Sequence, residues 1–268
     1  MNRKIRLLSL CFLLLLLLPA GIVSAFTKDG CGDGECRSCH QLSKQDAAQL
    51  LAVEEKNIVD LKMSEVPGLW EIDLQEQEKV IPLFMDFSKQ YLISGSVIKI
   101  DNRQNITQER FVDLNRIDVG QIPLEDALLI GKPTAKNRII IFDDPQCPYC
   151  AKLQKELRGV VNKRPDIAFY IKMFPLASHP EAYARAKAIV CANSLAMLED
   201  SLAGKSLAPP TCETDRIEKN LALAASIGIR STPTLILPDG RVLPGYKSAE
   251  DIIRLLEKPI SKENNISN

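Results

Sequence analysis

Cys147-Pro148-Tyr149-Cys150 lies between two segments of opposite periodicity, and that junction constrains this chain more than any other feature. Upstream, Arg138-Ile139-Ile140-Ile141-Phe142 is a short apolar, β-branched run suited to a buried strand, and downstream the spacing is helical to about residue 164. Two cysteines separated by two residues at a strand-to-helix turn can close a small disulfide, with the first at the helix N-terminus. There, unpaired backbone N–H groups and the helix dipole stabilise a thiolate. Cys147 is therefore expected to be the nucleophile, and Cys150, one turn into the helix, the more buried thiol that resolves a mixed disulfide by attacking Cys147. The competing reading, half of a zinc site or an inert bridge, lacks a second close Cys/His pair in this part of the chain.

Whether such a pair does redox chemistry depends on the compartment. Arg3, Lys4 and Arg6, an apolar run over residues 7–18, Pro19 and the small-residue pattern Val23-Ser24-Ala25 read as a signal peptide cleaved after Ala25. The run is shorter than the ~20 residues that span a bilayer, which disfavours a retained anchor. Cys11 sits inside the run behind the bulky Leu10, the wrong setting for lipidation, and is expected to leave with the leader. Seven of the 8 cysteines then reach an oxidising compartment, where disulfides persist. Seven is odd, so at least one must do something other than pair internally. The 34 Lys+Arg balance the 34 Asp+Glu, and loss of the leader leaves a small acidic excess. Nucleic acid is not an expected partner, because phosphate binding needs surplus cations. With 46% hydrophobic and 25% charged residues, the composition is that of a folded globular chain and excludes disorder, collagen-like repeats and a multi-span membrane protein.

At 268 residues there is room for one large domain or two modest ones. Residues 43–51 read as a short capped helix, and strand-like runs follow at 58–63, 69–74, 79–87 and 91–100. Together they predict a small helix-plus-antiparallel-sheet domain, too small to bury much surface alone and so prone to self-associate through a strand edge. Residues 122–131, with Pro123 near the start and Gly131 just past the end, read as a linker helix. The C-terminal half then runs strand 138–142, helix, strand 167–174, a long helical region over 180–227, Thr232-Pro233-Thr234 and strand 235–237. An Asp239-Gly240 hairpin turn, strand 241–243 and a final helix from Ser248 complete it.

Cys147-Pro148-Tyr149-Cys150, Thr232-Pro233-Thr234 and the segment Leu235-Ile236-Leu237-Pro238-Asp239-Gly240-Arg241-Val242-Leu243-Pro244-Gly245-Tyr246 together resemble the bacterial periplasmic thiol:disulfide isomerases of the DsbC/DsbG family, within the thioredoxin superfamily. The resemblance covers residues from about 50 to 258 and is strongest after Arg138. After the signal peptide 1–25 and a Cys-rich extension 26–42, both read from the residues themselves, it implies a mixed α+β and α/β chain: cystatin-like dimerisation domain 43–118, linker helix 119–133, thioredoxin-fold domain with a helical insertion 134–260, and a tail 261–268. It further implies that Pro233 follows a cis bond and faces the CxxC pair, with the backbone around Thr232 placed to pair with an extended substrate strand. Cys191 and Cys212 match the family's structural disulfide, worth roughly 3 kcal/mol for a loop of this size; a second redox couple is the sharper alternative. The implied protein is a periplasmic homodimer that acts on misfolded or disulfide-containing proteins, is kept reduced by a DsbD-like membrane reductant and requires no cofactor.

The segment Cys31-Gly32-Asp33-Gly34-Glu35-Cys36-Arg37-Ser38-Cys39-His40 departs from that family. Cys36, Cys39 and His40 fit the CxxCH pattern for covalent haem c, in which two thioethers hold the porphyrin and the histidine is an axial ligand. A Cys-rich extension with one local disulfide and one free or intermolecular thiol is the favoured reading, since no cytochrome domain is evident to wrap a haem. A metal site from Cys31, Cys36, Cys39 and His40 comes third. Elsewhere, His179 reads as a helix-start residue and Trp70 as core. Asp143 and Asp144 either tune Cys150 electrostatically or serve as caps and turns. Asn105 and Asn265 are glycosylation acceptors only in a eukaryotic secretory pathway.

Taken together these features predict an exported disulfide isomerase or reductase. The alternatives are a dithiol oxidant, a dedicated reductase in cytochrome c maturation, a holding chaperone whose thiols are secondary, and a haem-linked electron-transfer variant.

Overall fold

The computed structural model describes residues 40–257. Helix α1 (Lys44–Leu51) starts where Ser43 and Asp46 cap each other reciprocally, and it buries Ala47 and Ala48. Strands β1 (Ile58–Met63), β2 (Leu69–Glu76), β3 (Lys79–Asp86) and β4 (Leu92–Ile93) follow as an antiparallel meander in that spatial order. Side chains alternate along β2: Trp70 and Ile72 join Leu83 and Met85 in the core under α1. Glu71 and Asp73 point to the other face. There they meet Arg110 of α2 (Ile106–Leu114), which contacts Glu71 at 3.1 Å and also pairs with Asp73. Burial raises the Asp73 carboxyl above its ordinary range, and the Arg110 guanidinium opposes that rise.

The second sheet runs β5-β7-β6-β8-β9, formed by β5 (Leu128–Ile130), β6 (Asn137–Asp143), β7 (Ile167–Met173), β8 (Thr234–Ile236) and β9 (Val242–Pro244). Only β6 and β7 are parallel, joined through α3 (Pro148–Lys163). Strand β6 is covered on both faces. Ile139 and Ile141 pack with Leu153 and Leu157 of α3, while Ile140 and Phe142 pack on the opposite side with Ala224 of α6 (Arg216–Ser226). Helices α4 (Ala182–Ala192), α5 (Leu195–Leu202) and α7 (Ala249–Glu257) complete the α3 side. Among the described residues no helix is long and apolar enough to cross a membrane.

Three sequence expectations change. No linker helix occupies 119–133: a single 3-10 turn (Val119–Gln121) leads into strand β5, whose Leu128 and Ile130 point into the core while its backbone pairs with β7. Gly131 is not a helix stop. It has φ +105°, and a Cβ there would lie 2.9 Å from the Ile167 carbonyl oxygen, so it is glycine because β7 passes too close for a side chain. The strand foreseen over 91–100 shrinks to Leu92–Ile93, because the chain turns back through a bridge between Ile98 and Asn105 to start α2. The long helical region of 180–227 divides where Asn193 adopts a left-handed conformation and Ser194 caps α5, and again over the irregular stretch ending at α6.

The Asp239-Gly240 hairpin does more than reverse the chain. The Gly240 carbonyl accepts the Ile117 N–H at 2.9 Å, and a Cβ at Gly240 would lie 2.2 Å from the Ile117 carbonyl oxygen. With φ +88° besides, Gly240→Ala is expected to cost about 2 kcal/mol or more, read as a lower denaturant midpoint with an unchanged m-value.

Candidate active site

Strand β6 delivers Asp143, Asp144, Pro145 and Gln146 to the start of α3, where Cys147 is the N-cap residue and Pro148 occupies the first turn. Both thiols are buried and unbridged, Cys150 completely, while Tyr149 between them is exposed. Cys147 Sγ lies 3.5 Å from the Thr232 carbonyl oxygen, and the Thr232-Pro233 peptide bond is cis. That loop is held by the Gly245 N–H donating to the Pro233 carbonyl at 2.7 Å and by the Thr234 hydroxyl donating to Ser231 O at 2.7 Å. Cys147, Cys150, Thr232 and Pro233 thus converge from two distant parts of the chain.

The two sulfurs are electrostatically unlike. A hydrogen bond from Cys150 is the main cause that brings Cys147 down to about 5; Thr232 and the N–H groups of Cys150 and Tyr149 lower it further, against desolvation. Burial drives Cys150 strongly the other way, reinforced by Cys147 and Asp143. At neutral pH the first is a thiolate and the second a thiol, which is the asymmetry an attacking and a resolving sulfur require.

Strand alternation separates the two aspartates. Asp143 continues the Ile139/Ile141 face toward α3, so it stands beside Cys150. It is fully buried, neither oxygen has a nitrogen or oxygen donor, and desolvation pushes it up to about 8. Asp144 points the other way and anchors backbone. Its Oδ1 accepts from Gln146 N at 2.7 Å, and its Oδ2 from Leu176 N at 2.6 Å and His179 Nδ1 at 2.9 Å. Sequence reasoning treated the pair alike; period-two spacing from Ile139 and Ile141 to Asp143 was the signal that would have set Asp143 apart. Gln154, one turn beyond Cys150 on α3, escaped notice altogether, yet it is buried with both amide atoms unpartnered.

The other expected residues lie apart from this constellation. Cys191 and Cys212 form a disulfide, Cα–Cα 5.5 Å, that fastens the end of α4 to the irregular stretch before α6. His40 stacks on Phe87 with ring centroids 4.4 Å apart and borders a hollow with Met63 and Trp70. Cys31, Cys36 and Cys39, like the signal peptide and the tail from 261, fall outside the described residues. Among the described residues no group of His, Cys, Asp and Glu is arranged to hold a metal ion.

Residues 124–259 match the family described as Thioredoxin-like domain. The chain is 30% identical over 193 residues to the probable thiol:disulfide interchange protein DsbC of Bordetella avium, covering 70% of this chain and 66% of that protein. It is 26% identical over 178 residues to the thiol:disulfide interchange protein DsbC of Escherichia coli K12, covering 66% of this chain and 73% of that one. The chain spans 60% of the corresponding Bordetella parapertussis protein, so several relatives extend well beyond the matched part. Among solved structures, a disulfide interchange protein from Neisseria gonorrhoeae aligns with 28% identity and a TM-score of 0.43, covering 52% of this chain and 100% of that one.

Proposed function

Because this chain belongs to the thioredoxin-like domain family, we propose that it is an exported thiol:disulfide interchange protein that reduces and reshuffles disulfides in other proteins. The observation that carries this reading is the Cys147 thiolate at the start of α3, set against the cis Thr232-Pro233 bond with the Cys150 thiol behind it. Cys147 Sγ attacks a substrate disulfide, one substrate sulfur leaves as a thiolate, and a mixed disulfide forms. A second substrate thiolate can then displace Cys147, which completes an isomerisation. Alternatively Asp143, after losing its own proton to solvent, takes the proton of Cys150, which attacks Cys147 Sγ. The substrate sulfur leaves and takes a proton from water, and two electrons have passed from the dithiol to the substrate. The resulting Cys147–Cys150 disulfide needs a reductant, for which a DsbD-like membrane protein fits a periplasmic setting. Backbone around the cis bond and the exposed Tyr149 offer an extended substrate strand its contacts. Regain of activity by a scrambled multi-disulfide substrate in the presence of the purified protein tests the reading; no acceleration over a small thiol alone rejects it.

The N-terminal half, on this reading, is a cystatin-like dimerisation domain. Supporting it, β4 is a two-residue edge strand flanked by exposed apolar side chains: Tyr91 (68% exposed), Leu92, Ile93, Ile98 and Ile100 (86%). Pairing of this edge with a second copy would cover them. Val112 and Ile117 pack into the cores of the second sheet, so truncating at 118 would damage both halves and a point change is the cleaner test. Ile93→Asp is expected to shift sedimentation from dimer to monomer at micromolar concentration and to impair isomerisation more than simple reduction. A wild-type monomer would reject the dimer.

For the extension 26–42 we infer a local disulfide rather than haem, with no cofactor required. Supporting this, His40 stacks on an aromatic side chain of the first sheet. Protein matured alongside a cytochrome c assembly system is expected to show no Soret band; a haem-sized mass adduct on the peptide holding Cys36 and Cys39 would reverse the inference.

A further inference from the structure

We propose that Tyr246, tied to Glu156 of α3, is a positioning residue that fixes the cis Thr232-Pro233 loop opposite Cys147 and so sets how tightly an extended substrate strand is held. The role deepens the exchange reading above and rests on it. Contacts run in a closed circuit that begins and ends at Cys147. Cys147 starts α3, and Glu156 lies farther along the same helix. Glu156 Oε1 accepts the Tyr246 hydroxyl at 2.8 Å, and its Oε2 accepts the Ala249 N–H at the start of α7 at 3.1 Å. The residue before Tyr246 is Gly245, whose N–H donates to the Pro233 carbonyl at 2.7 Å. Across the cis bond, the Thr232 carbonyl oxygen lies 3.5 Å from Cys147 Sγ and closes the circuit.

The corner that carries Tyr246 is stiff. Lys247 Nζ donates to the Pro244 carbonyl at 2.8 Å and lies 3.4 Å from the Gly245 and Tyr246 carbonyl oxygens, so residues 244–247 move as one piece. Lys152 Nζ stands 4.0 Å over the centre of the Tyr246 ring, which seats the ring against α3 through a second residue of that helix. The fold does not need the Tyr246–Glu156 bond to hold α7 on α3, because Ile252 of α7 is fully buried in one core with Leu153, Leu157 and Val160 of α3. What the bond adds is placement. It fixes the corner that holds the Pro233 carbonyl, and with it the backbone beside which a substrate strand pairs. The sulfur chemistry uses neither Tyr246 nor Glu156, so releasing the bond weakens substrate capture and leaves attack by Cys147 intact.

Steady-state exchange by the full-length protein, with a small dithiol supplied as reductant, separates the two effects when two substrates are compared. One is a peptide disulfide with several residues on each side of its cysteines; the other is a small aromatic disulfide that has no strand to pair. Tyr246→Phe keeps the ring under Lys152 and removes only the hydroxyl. It is expected to raise KM for the peptide disulfide about fivefold, the worth of one hydrogen bond, with kcat within about twofold of the wild type. Exchange with the aromatic disulfide should not change. Glu156→Gln should reproduce this pattern, and the double variant should be no worse than either single change, because both cut the same bond. An unchanged peptide KM, an equal loss with both substrates, or additive losses in the double variant would overturn the proposal. Glu156→Gln carries the test if Tyr246→Phe folds poorly. A wild type inert toward both disulfides would sink the exchange reading and this role with it.

Discussion

Cys147→Ser is expected to abolish exchange with protein disulfides, a loss on the order of 10⁴-fold or more. A serine hydroxyl stays protonated where the Cys147 thiol, lowered to about 5, is almost wholly thiolate, and an alcohol is a poor nucleophile toward sulfur. Cys150→Ala should do the opposite of silencing the protein. Attack survives, the resolving sulfur is gone, and substrates accumulate as mixed disulfides visible on a non-reducing gel. Alkylation of the reduced wild type at pH 7 should mark Cys147 well before Cys150, which is buried and strongly disfavoured as a thiolate. Equal labelling rates, or exchange that persists in Cys147→Ser and vanishes in a folded Cys191→Ser, would show that the wrong pair had been assigned.

Asp143→Val should make the folded protein more stable and a worse resolver. The carboxyl is raised from 3.8 to about 8, so its native form holds a proton that the unfolded form releases. A group shifted in this direction contributes fully below 3.8, and its contribution is lost as pH rises through the folded value near 8. The variant's advantage is therefore expected to grow from about pH 4 to pH 8, reach the order of a few kcal/mol and then level off. Cys147 works in the reverse sense. Lowered from 9.0 to about 5, it stabilises the reduced protein above 9.0, and that gain is lost as pH falls through 5. Because both proteins keep Cys147, the difference between their denaturation curves isolates Asp143. Resolution near neutral pH should slow about 10- to 100-fold for want of a proton acceptor, while attack is little changed. An advantage that does not vary with pH would mean that Asp143 titrates as an ordinary carboxyl.

The chemistry was legible in local sequence because local sequence is enough to build it. A β-branched run followed by Cys147-Pro148-Tyr149-Cys150 and helical spacing places one sulfur at a helix N-terminus and the other inside, whatever surrounds them. The capped helix at 43–51 and the strand-like run at 69–74 were legible for the same reason, since capping and pleating are set by near neighbours. Thr232-Pro233 and Cys191 with Cys212 were reached through family resemblance, since neither a cis bond facing a site 85 residues away nor a pairing 21 residues apart is written in any short window.

Tertiary contact decided the rest. Residues 122–131 carry proline and glycine where a helix would want them, yet the open edge of β7 offered Leu128 and Ile130 a ladder and a core that an isolated helix could not match. Gly131 and Gly240 are glycines because other backbone runs against them, a demand that arises only when the sheet and the hairpin are in place. The division of labour between Asp143 and Asp144 is of the same kind. Neighbours in sequence and identical in chemistry, they differ because Asp143 is the last residue of β6, on its Ile139/Ile141 face, while Asp144 lies just past the strand, where it accepts from backbone of the turn and of the segment after β7. Beside Asp143 stands a buried thiol with no nitrogen or oxygen donor, beside Asp144 two backbone amides and a histidine.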